Sequence, residues 1–355
     1  MVLLLVSCSK SEPTSHSSLS DEISNQKYVN IIENRLSNLP VDAQVAIAIV
    51  KENTTEYLGV INKNGTLRST QNANNIFEIG SITKLFTSIC LSDLIAKNEA
   101  SLTETLQEQF NFPIQAGGDI TLKQLANHTS GLPRLPSNVN EVIGFNQNDP
   151  YAVYTYENLK SFLENHVVLN SPSGTKYEYS NIGTGMLGSI LAKKRNMSYE
   201  ELVKITILDP LNMTSTTTLL DNVDTSLLIE PRDNNGVVSQ YWSFSEYLTA
   251  AGSLKSTVTD MAKFIRKNFE NDPLYNLPQQ KTFQKEDNEF IGLGWLITED
   301  EDYRVLSHDG NTGGFASILV LDKNKKTGVI VLSNIEAYHP SIVPMCNDLF
   351  LEASK

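Results

Sequence analysis

Apolar positions change their spacing twice along the chain, and the changes divide it into three parts. Ile23, Tyr28, Val29, Ile31, Ile32 and Leu36 recur at helical intervals ahead of Pro40, which predicts an amphipathic helix closed by the proline. Residues 45–50 form a compact β-prone run, and 57–61, beyond the Asn53-Thr54-Thr55 break, read as its hairpin partner. The same strand grammar returns late, at 290–297, 303–307, 317–321 and 328–332, with 322–326 as the turn between the last two. Between roughly 81 and 250 strands are scarce, and helical patterns alternate with loops rich in Pro, Gly and Asn. Val343, Cys346, Leu349, Phe350 and Leu351 predict a terminal helix. The expected fold class is α+β. Early strands (about 41–75) and late strands (about 250–335) share one antiparallel sheet flanked by helices, with a mostly helical region (about 81–250) inserted between them. A cleft between sheet and helices is the natural place for a site.

Composition adds exclusions. With 28 Lys plus Arg against 41 Asp plus Glu, the net charge is −13 over 355 residues, which argues against nucleic acid as a partner. At 40% hydrophobic and 19% charged the chain suits a globular protein with a sizeable core, and no apolar run reaches the roughly 18–20 residues of a spanning helix. Cys8, Cys90 and Cys346 are too few for a disulfide framework and are not spaced as metal ligands. Cys90, at an apolar helix position, reads as core.

The N-terminus reads as an address. MVLLLVS precedes Cys8, and a polar stretch rich in Ser, Thr, Glu and Pro follows. Leu5-Val6-Ser7-Cys8 resembles a lipobox, which implies a lipoprotein signal over 1–8, lipid on Cys8, a flexible polar tether over 9–22 and a folded domain over 23–355. The expected location is a lipid-anchored membrane surface of the cell envelope, on its periplasmic or outer face. Substrates would then be envelope molecules.

Three segments carry candidate chemistry. In Phe77-Glu78-Ile79-Gly80-Ser81-Ile82-Thr83-Lys84 a glycine precedes the serine and an apolar helix pattern follows, so Ser81 is expected at a helix N-terminus that favours a developing oxyanion. Lys84 returns to the same face and is a base for Ser81 if burial and neighbouring charge hold it neutral. The bare S-x-x-K spacing also occurs at Ser7/Lys10, Ser24/Lys27 and Ser173/Lys176, so setting rather than spacing singles out Ser81, and a helix-capping serine is the bland alternative. Tyr179-Ser180-Asn181 sits between a Pro/Gly turn and a small-residue helix; its phenol can shuttle a proton and its amide can hold a substrate carbonyl. In residues 307–315, SHDGNTGGF, Gly310, Gly313 and Gly314 would let substrate lie against bare backbone, and a strand N–H there can complete an oxyanion hole with that of Ser81. A glycine-rich hairpin with a surface histidine is the bland alternative.

In the order Ser-Lys, Tyr-Asn, His-Gly, these segments resemble the penicillin-recognising serine hydrolases, in particular the class C β-lactamase branch with its DD-peptidase and esterase relatives. LANHTSGLP at 125–133, PLNM at 210–213, AGSL at 251–254 and GLGW at 292–295 are similar too. The resemblance implies a β-lactamase/transpeptidase-like fold with Ser81 as acylated nucleophile, Lys84 as proton acceptor and Tyr179 as second acid/base. Asn181 would bind the substrate amide, with His308, Gly310, Asn311 and Gly314 as further substrate contacts. Asn311 and Ser81 would donate the oxyanion-hole N–H groups. His128 reads as structural. No metal and no cofactor is expected, only water, a small-molecule or peptide substrate, and a monomer.

The chain departs from the class C pattern at His308 and Asp309, where that branch has lysine and threonine. The lysine supplies fixed positive charge, whereas His308 does so only when protonated. Strand alternation would turn Asp309 away from the face of His308. A different class, a binding or sensor lipoprotein with little turnover, is the competing reading.

Overall fold

The computed structural model describes residues 18–233, 235–336 and 340–355. Its strands are β1 (Gln44–Lys51), β2 (Thr55–Lys63), β3 (Thr66–Ser69), β4 (Phe77–Glu78), β5 (Lys255–Ser256), β6 (Phe283–Glu286), β7 (Glu289–Ile291), β8 (Leu296–Glu299), β9 (Arg304–Asn311), β10 (Ala316–Asp322) and β11 (Thr327–Ser333). Nine of them form one antiparallel sheet in the order β3-β2-β1-β11-β10-β9-β8-β7-β6, and β4 pairs with β5 separately. Early and late strands meet along β1 and β11, from Val45 opposite Ser333 to Lys51 opposite Thr327.

β1, β10 and β11 read as near-continuous Val/Ile/Leu runs because helices cover both faces of the sheet. Val45, Ile47, Val329 and Val331 pack against the helices Gln26–Leu36 and Ile342–Ala353 through Ile32, Leu36, Met345 and Leu349. Ala46, Ala48, Ile330 and Leu332 face the other way, into a larger core shared with the helical region. That region is the expected insertion. β4 and β5 close its base, with Phe77 opposite Ser256 and Glu78 opposite Lys255.

Three boundaries differ from the expectation. Leu19–Glu22 form a short helix with Leu19 buried, so the folded part begins before residue 23; Cys8 and most of the proposed tether lie outside the described residues. The run 290–297 is two strands, because Gly294 takes φ +79° and a Cβ on Gly292 would stand 2.3 Å from Pro278 O. β9 extends through His308, Asp309 and Gly310 to Asn311, which lies opposite Ala316 of β10, so the glycine-rich segment begins as strand rather than loop.

Candidate active site

The chain leaves β4 through Gly80, makes one tight turn over Gly80–Ile82, and enters the helix Thr83–Ala96. Two glycines let β9 lie directly on that turn. Gly80 has φ +49°, and a Cβ there would stand 2.6 Å from Asn311 N; a Cβ on Gly310 would meet Ile79 O at 2.2 Å and Ser81 N at 2.7 Å. The backbone amides of Ser81 and Asn311 are thereby brought to the same place. Lys84, one turn along, is fully buried. Its Nζ lies 3.1 Å from Ser81 Oγ, 2.8 Å from Asn181 Oδ1 and 2.6 Å from Ala251 O. The Tyr179 hydroxyl donates to Ser81 Oγ at 2.6 Å.

Ser180 caps the helix Asn181–Lys194 by accepting from Gly183 N–H, which fixes Tyr179 just outside the helix and Asn181 at its first position. Asn181 is buried, and its Nδ2 donates to the Tyr151 hydroxyl at 2.7 Å while its Oδ1 accepts from Lys84. Both ends of the amide are engaged inside the protein, so Asn181 holds Lys84; the substrate-ligand role expected of it would use the second Nδ2 hydrogen. His128 is buried at φ +58°, accepts Ser180 N–H at Nδ1 and lays its ring 4.4 Å from that of Tyr179. It orients the tyrosine, in keeping with its structural reading.

His308 turns inward from β9. Its Nδ1–H donates to Gly294 O at 2.5 Å, and burial, reinforced by Lys84 and opposed by Asp309, lowers its pKa to about 4. The imidazole is therefore neutral at pH 7. Asp309 is exposed and lines the same cleft; alternation separates it from His308, yet its face is one that opens on the site. Asn311 lines the cleft as expected. Gly310 and Gly314 do not serve as open backbone for substrate: the first packs on the nucleophile turn, and a Cβ on the second would meet Pro231 Cβ at 2.3 Å.

The cleft encloses about 340 Å³ and is lined by Ser81, Tyr179 and His308 with Tyr177, Lys285 and Arg134. These last three escaped the sequence reading. Tyr177 lies two residues before Tyr179, and Arg134 directly follows the LANHTSGLP stretch, so both were adjacent to recognised segments. Burial, with the Arg134 charge next in size, holds Lys84 well below the usual lysine range, while burial raises the Tyr179 phenol. Both shifts favour the neutral forms. A neutral Lys84 amine has two N–H groups for Ala251 O and Asn181 Oδ1 and a lone pair for the Ser81 hydroxyl proton. The arrangement can thus make Ser81 nucleophilic without moving a heavy atom.

Comparison with known proteins bears on the fold and the family. The chain is 26% identical over 289 residues to Protein flp of Staphylococcus aureus (strain NCTC 8325 / PS 47), covering 76% of this chain and 55% of that protein. It is 23% identical over 287 residues to Penicillin-binding protein 4* of Bacillus subtilis (strain 168), covering 74% and 61%. The chain therefore spans a little over half the length of these curated relatives. Among solved structures, the octameric penicillin-binding protein homologue from Pyrococcus abyssi superposes with a TM-score of 0.77 at 24% identity, over 94% of this chain and 78% of that one. A β-lactamase/D-alanine carboxypeptidase from Pseudomonas syringae gives 0.77 at 17% identity, over 93% and 99%. These likenesses establish the fold. The Beta-lactamase family profile matches residues 41–343, and the chain belongs to that family.

Proposed function

We propose that the protein is a serine hydrolase that forms an acyl-Ser81 intermediate on amide, peptide or ester bonds of cell-envelope substrates. The observation that carries this reading is Ser81 Oγ at a helix head, 2.6 Å from the Tyr179 hydroxyl and 3.1 Å from a buried Lys84 amine. Membership of the beta-lactamase family supports it. In the proposed cycle Ser81 Oγ attacks the substrate carbonyl carbon and its proton passes to Lys84. The oxyanion is held by the backbone N–H groups of Ser81 and Asn311, each such donor being worth about 2.7–4 kcal/mol of transition-state stabilisation. Tyr179 protonates the leaving group as the carbon–heteroatom bond breaks and is left as phenolate; in deacylation it takes a proton from the attacking water, and Lys84 returns its proton to Ser81 Oγ as the acyl ester is cleaved. β-Lactamase, DD-peptidase and esterase activities of the class C kind are the alternatives within this chemistry. The neutral His308 favours those that manage without a fixed charge at that position.

Intact-mass spectrometry during a time course with a penicillin and with an activated short-chain ester tests the proposal. An adduct in wild type that is absent from Ser81→Ala supports it, and its decay rate with each substrate ranks the three activities. Hydrolysis undiminished in Ser81→Ala refutes it. We also propose that Cys8 carries the lipid that holds the domain at the envelope surface; metabolic labelling with a fatty acid, lost in Cys8→Ser, is the expected result.

A further inference from the structure

The class C branch resembled by the sequence carries a lysine where this chain has His308, and here the imidazole is neutral. The site nevertheless holds a permanent cation on another element. The Arg134 guanidinium carbon lies 5.0 Å from the centroid of the Tyr179 ring, and Lys84 Nζ lies 4.8 Å from the same centroid. Among the described residues no carboxylate stands within ion-pair distance of that guanidinium, whereas Lys285, the other basic side chain lining the cleft, pairs with Glu289 at 2.6 Å. The backbone around Arg134 is anchored to the catalytic segment itself. Its carbonyl accepts the N–H groups of Asn181 and Ile182 at 2.9 and 3.3 Å, and Pro133 O accepts from Ser180 Oγ at 2.8 Å.

We propose that Arg134 is a positioning residue of this active site, whose guanidinium, laid over the Tyr179 ring, supplies the permanent positive charge that keeps the Ser81–Lys84–Tyr179 network ready to take the serine proton. The inference rests on the serine hydrolase reading above. The other groups facing the network leave room for such a role. Burial keeps His128 and His308 neutral, Tyr177 is pushed up to about 12, and Lys285 is paired with Glu289; Asp309 is the carboxylate that opposes Arg134 at Lys84 and Tyr179.

The sign of the effect does not depend on whether Lys84 or Tyr179 is the base. A nearby cation disfavours the lysine ammonium and favours the tyrosine phenolate, so it lowers the pKa of either. Since the base must be deprotonated to act, removing the charge moves the acidic limb of the acylation profile to higher pH. Each cation stands about 5 Å from the ring centroid, so no more than about 10 Å separates them; at that separation and an effective dielectric of about 20–40, a shift on the order of one pH unit is expected.

The experiment measures the pre-steady-state release of nitrophenol from p-nitrophenyl acetate between pH 5 and 10, in wild type, Arg134→Gln, Arg134→Lys and Asp309→Asn. Arg134→Gln is expected to shift the limb upward by on the order of one unit and to recover most of the wild-type rate above it, with Arg134→Lys restoring the limb toward its original position. Asp309→Asn, a change on an exposed side chain, requires a smaller shift in the opposite direction and keeps the test open if Arg134→Gln does not fold. Unmoved limbs in Arg134→Gln and Asp309→Asn, or an Arg134→Lys limb displaced as far as that of Arg134→Gln, overturn the assignment. A wild-type protein with no Ser81-dependent burst refutes the hydrolase reading instead.

Discussion

Gly310 separates two accounts of the third segment. As open backbone for substrate, an added methyl would crowd the ligand and raise KM; as the seat of the nucleophile turn, it would push β9 off that turn and lower kcat and stability. In Gly310→Ala the new Cβ would lie 2.2 Å from Ile79 O, 2.7 Å from Ser81 N and 2.7 Å from Ser317 Oγ. The first two are backbone atoms and cannot rotate away. Restoring even 3.0 Å to Ile79 O requires the strand and the turn to part by about 0.8 Å, at the point where the amides of Ser81 and Asn311 converge. Overpacking of this kind costs roughly 1–3 kcal/mol, and a misplacement near 1 Å can cost about 100-fold in rate. The expected variant melts a few degrees lower, binds substrate with near-normal KM and loses on the order of 100-fold in kcat on an activated ester. Wild-type kcat with an elevated KM, and an unchanged melting temperature, would falsify the packing account.

Other perturbations follow from the same coordinates. Asn181→Ala removes a partner from both Lys84 and Tyr151 without opening the cleft, so kcat should fall about 10- to 100-fold with little change in KM; a rise in KM alone would make substrate binding, rather than the hold on Lys84, its main role. Tyr179→Phe keeps the ring under Arg134 but removes the proton donor 2.6 Å from Ser81, so leaving-group departure should slow more for amides than for activated esters, as parallel assays on the two would reveal. His308 has a folded pKa of about 4 against 6.5 for the free side chain, so between these values the unfolded chain binds more protons. Stability should therefore decline as pH falls from about 6.5 towards 4, by up to ~3 kcal/mol from this group, and His308→Asn should flatten that slope in a series of thermal melts.

The sheet was largely readable in advance because its signals are local. Residues 45–50 and 328–332 are apolar on consecutive positions, a pattern that a strand covered on both faces requires and that survives without knowledge of the partner. Ser81, Lys84 and Tyr179 stood out in part for a similar reason, a glycine before one segment, a Pro/Gly turn before another and helix patterns after both; their roles came from the resemblance of the three segments, in order, to a known family. What escaped depends on approaches between distant segments. Nothing local to Arg134 says that it will cover a ring 45 positions later, and nothing local to Gly310 says that residues 79–81 will fill the space where its Cβ would be. Asp309 shows the limit of alternation itself, since period two separates neighbours onto two faces without telling which face borders the cleft. Leu19 was missed because a single apolar residue in a polar stretch carries no period, yet it is buried.

The hydrogen bonds around Ser81 run in one direction, and this constrains how the network works. Tyr179 donates to Ser81, and a neutral Lys84 accepts the Ser81 proton while donating to Ala251 O and Asn181 Oδ1; Asn181 in turn donates to Tyr151. In that state the hydroxyls of Tyr179 and Ser81 and both N–H groups of Lys84 each have an acceptor. Transfer of the serine proton to Lys84 creates an ammonium whose three N–H groups still meet Ser81 Oγ, Asn181 Oδ1 and Ala251 O, so the second state is satisfied by the same heavy atoms. The cost of moving between the two is then electrostatic rather than geometric. It is set by burial, which disfavours the ammonium, by the Arg134 charge, which disfavours it further, and by Asp309, which favours it. On the proposed acylation cycle, a site balanced in this way would keep its base unprotonated at rest and charge it only when the oxyanion forms on the other side of Ser81, where the new negative charge would offset the new positive one. If Arg134 acts as proposed, the permanent charge that the resembled class C pattern carries at the position of His308 stands here on a different segment, held against the ring of Tyr179.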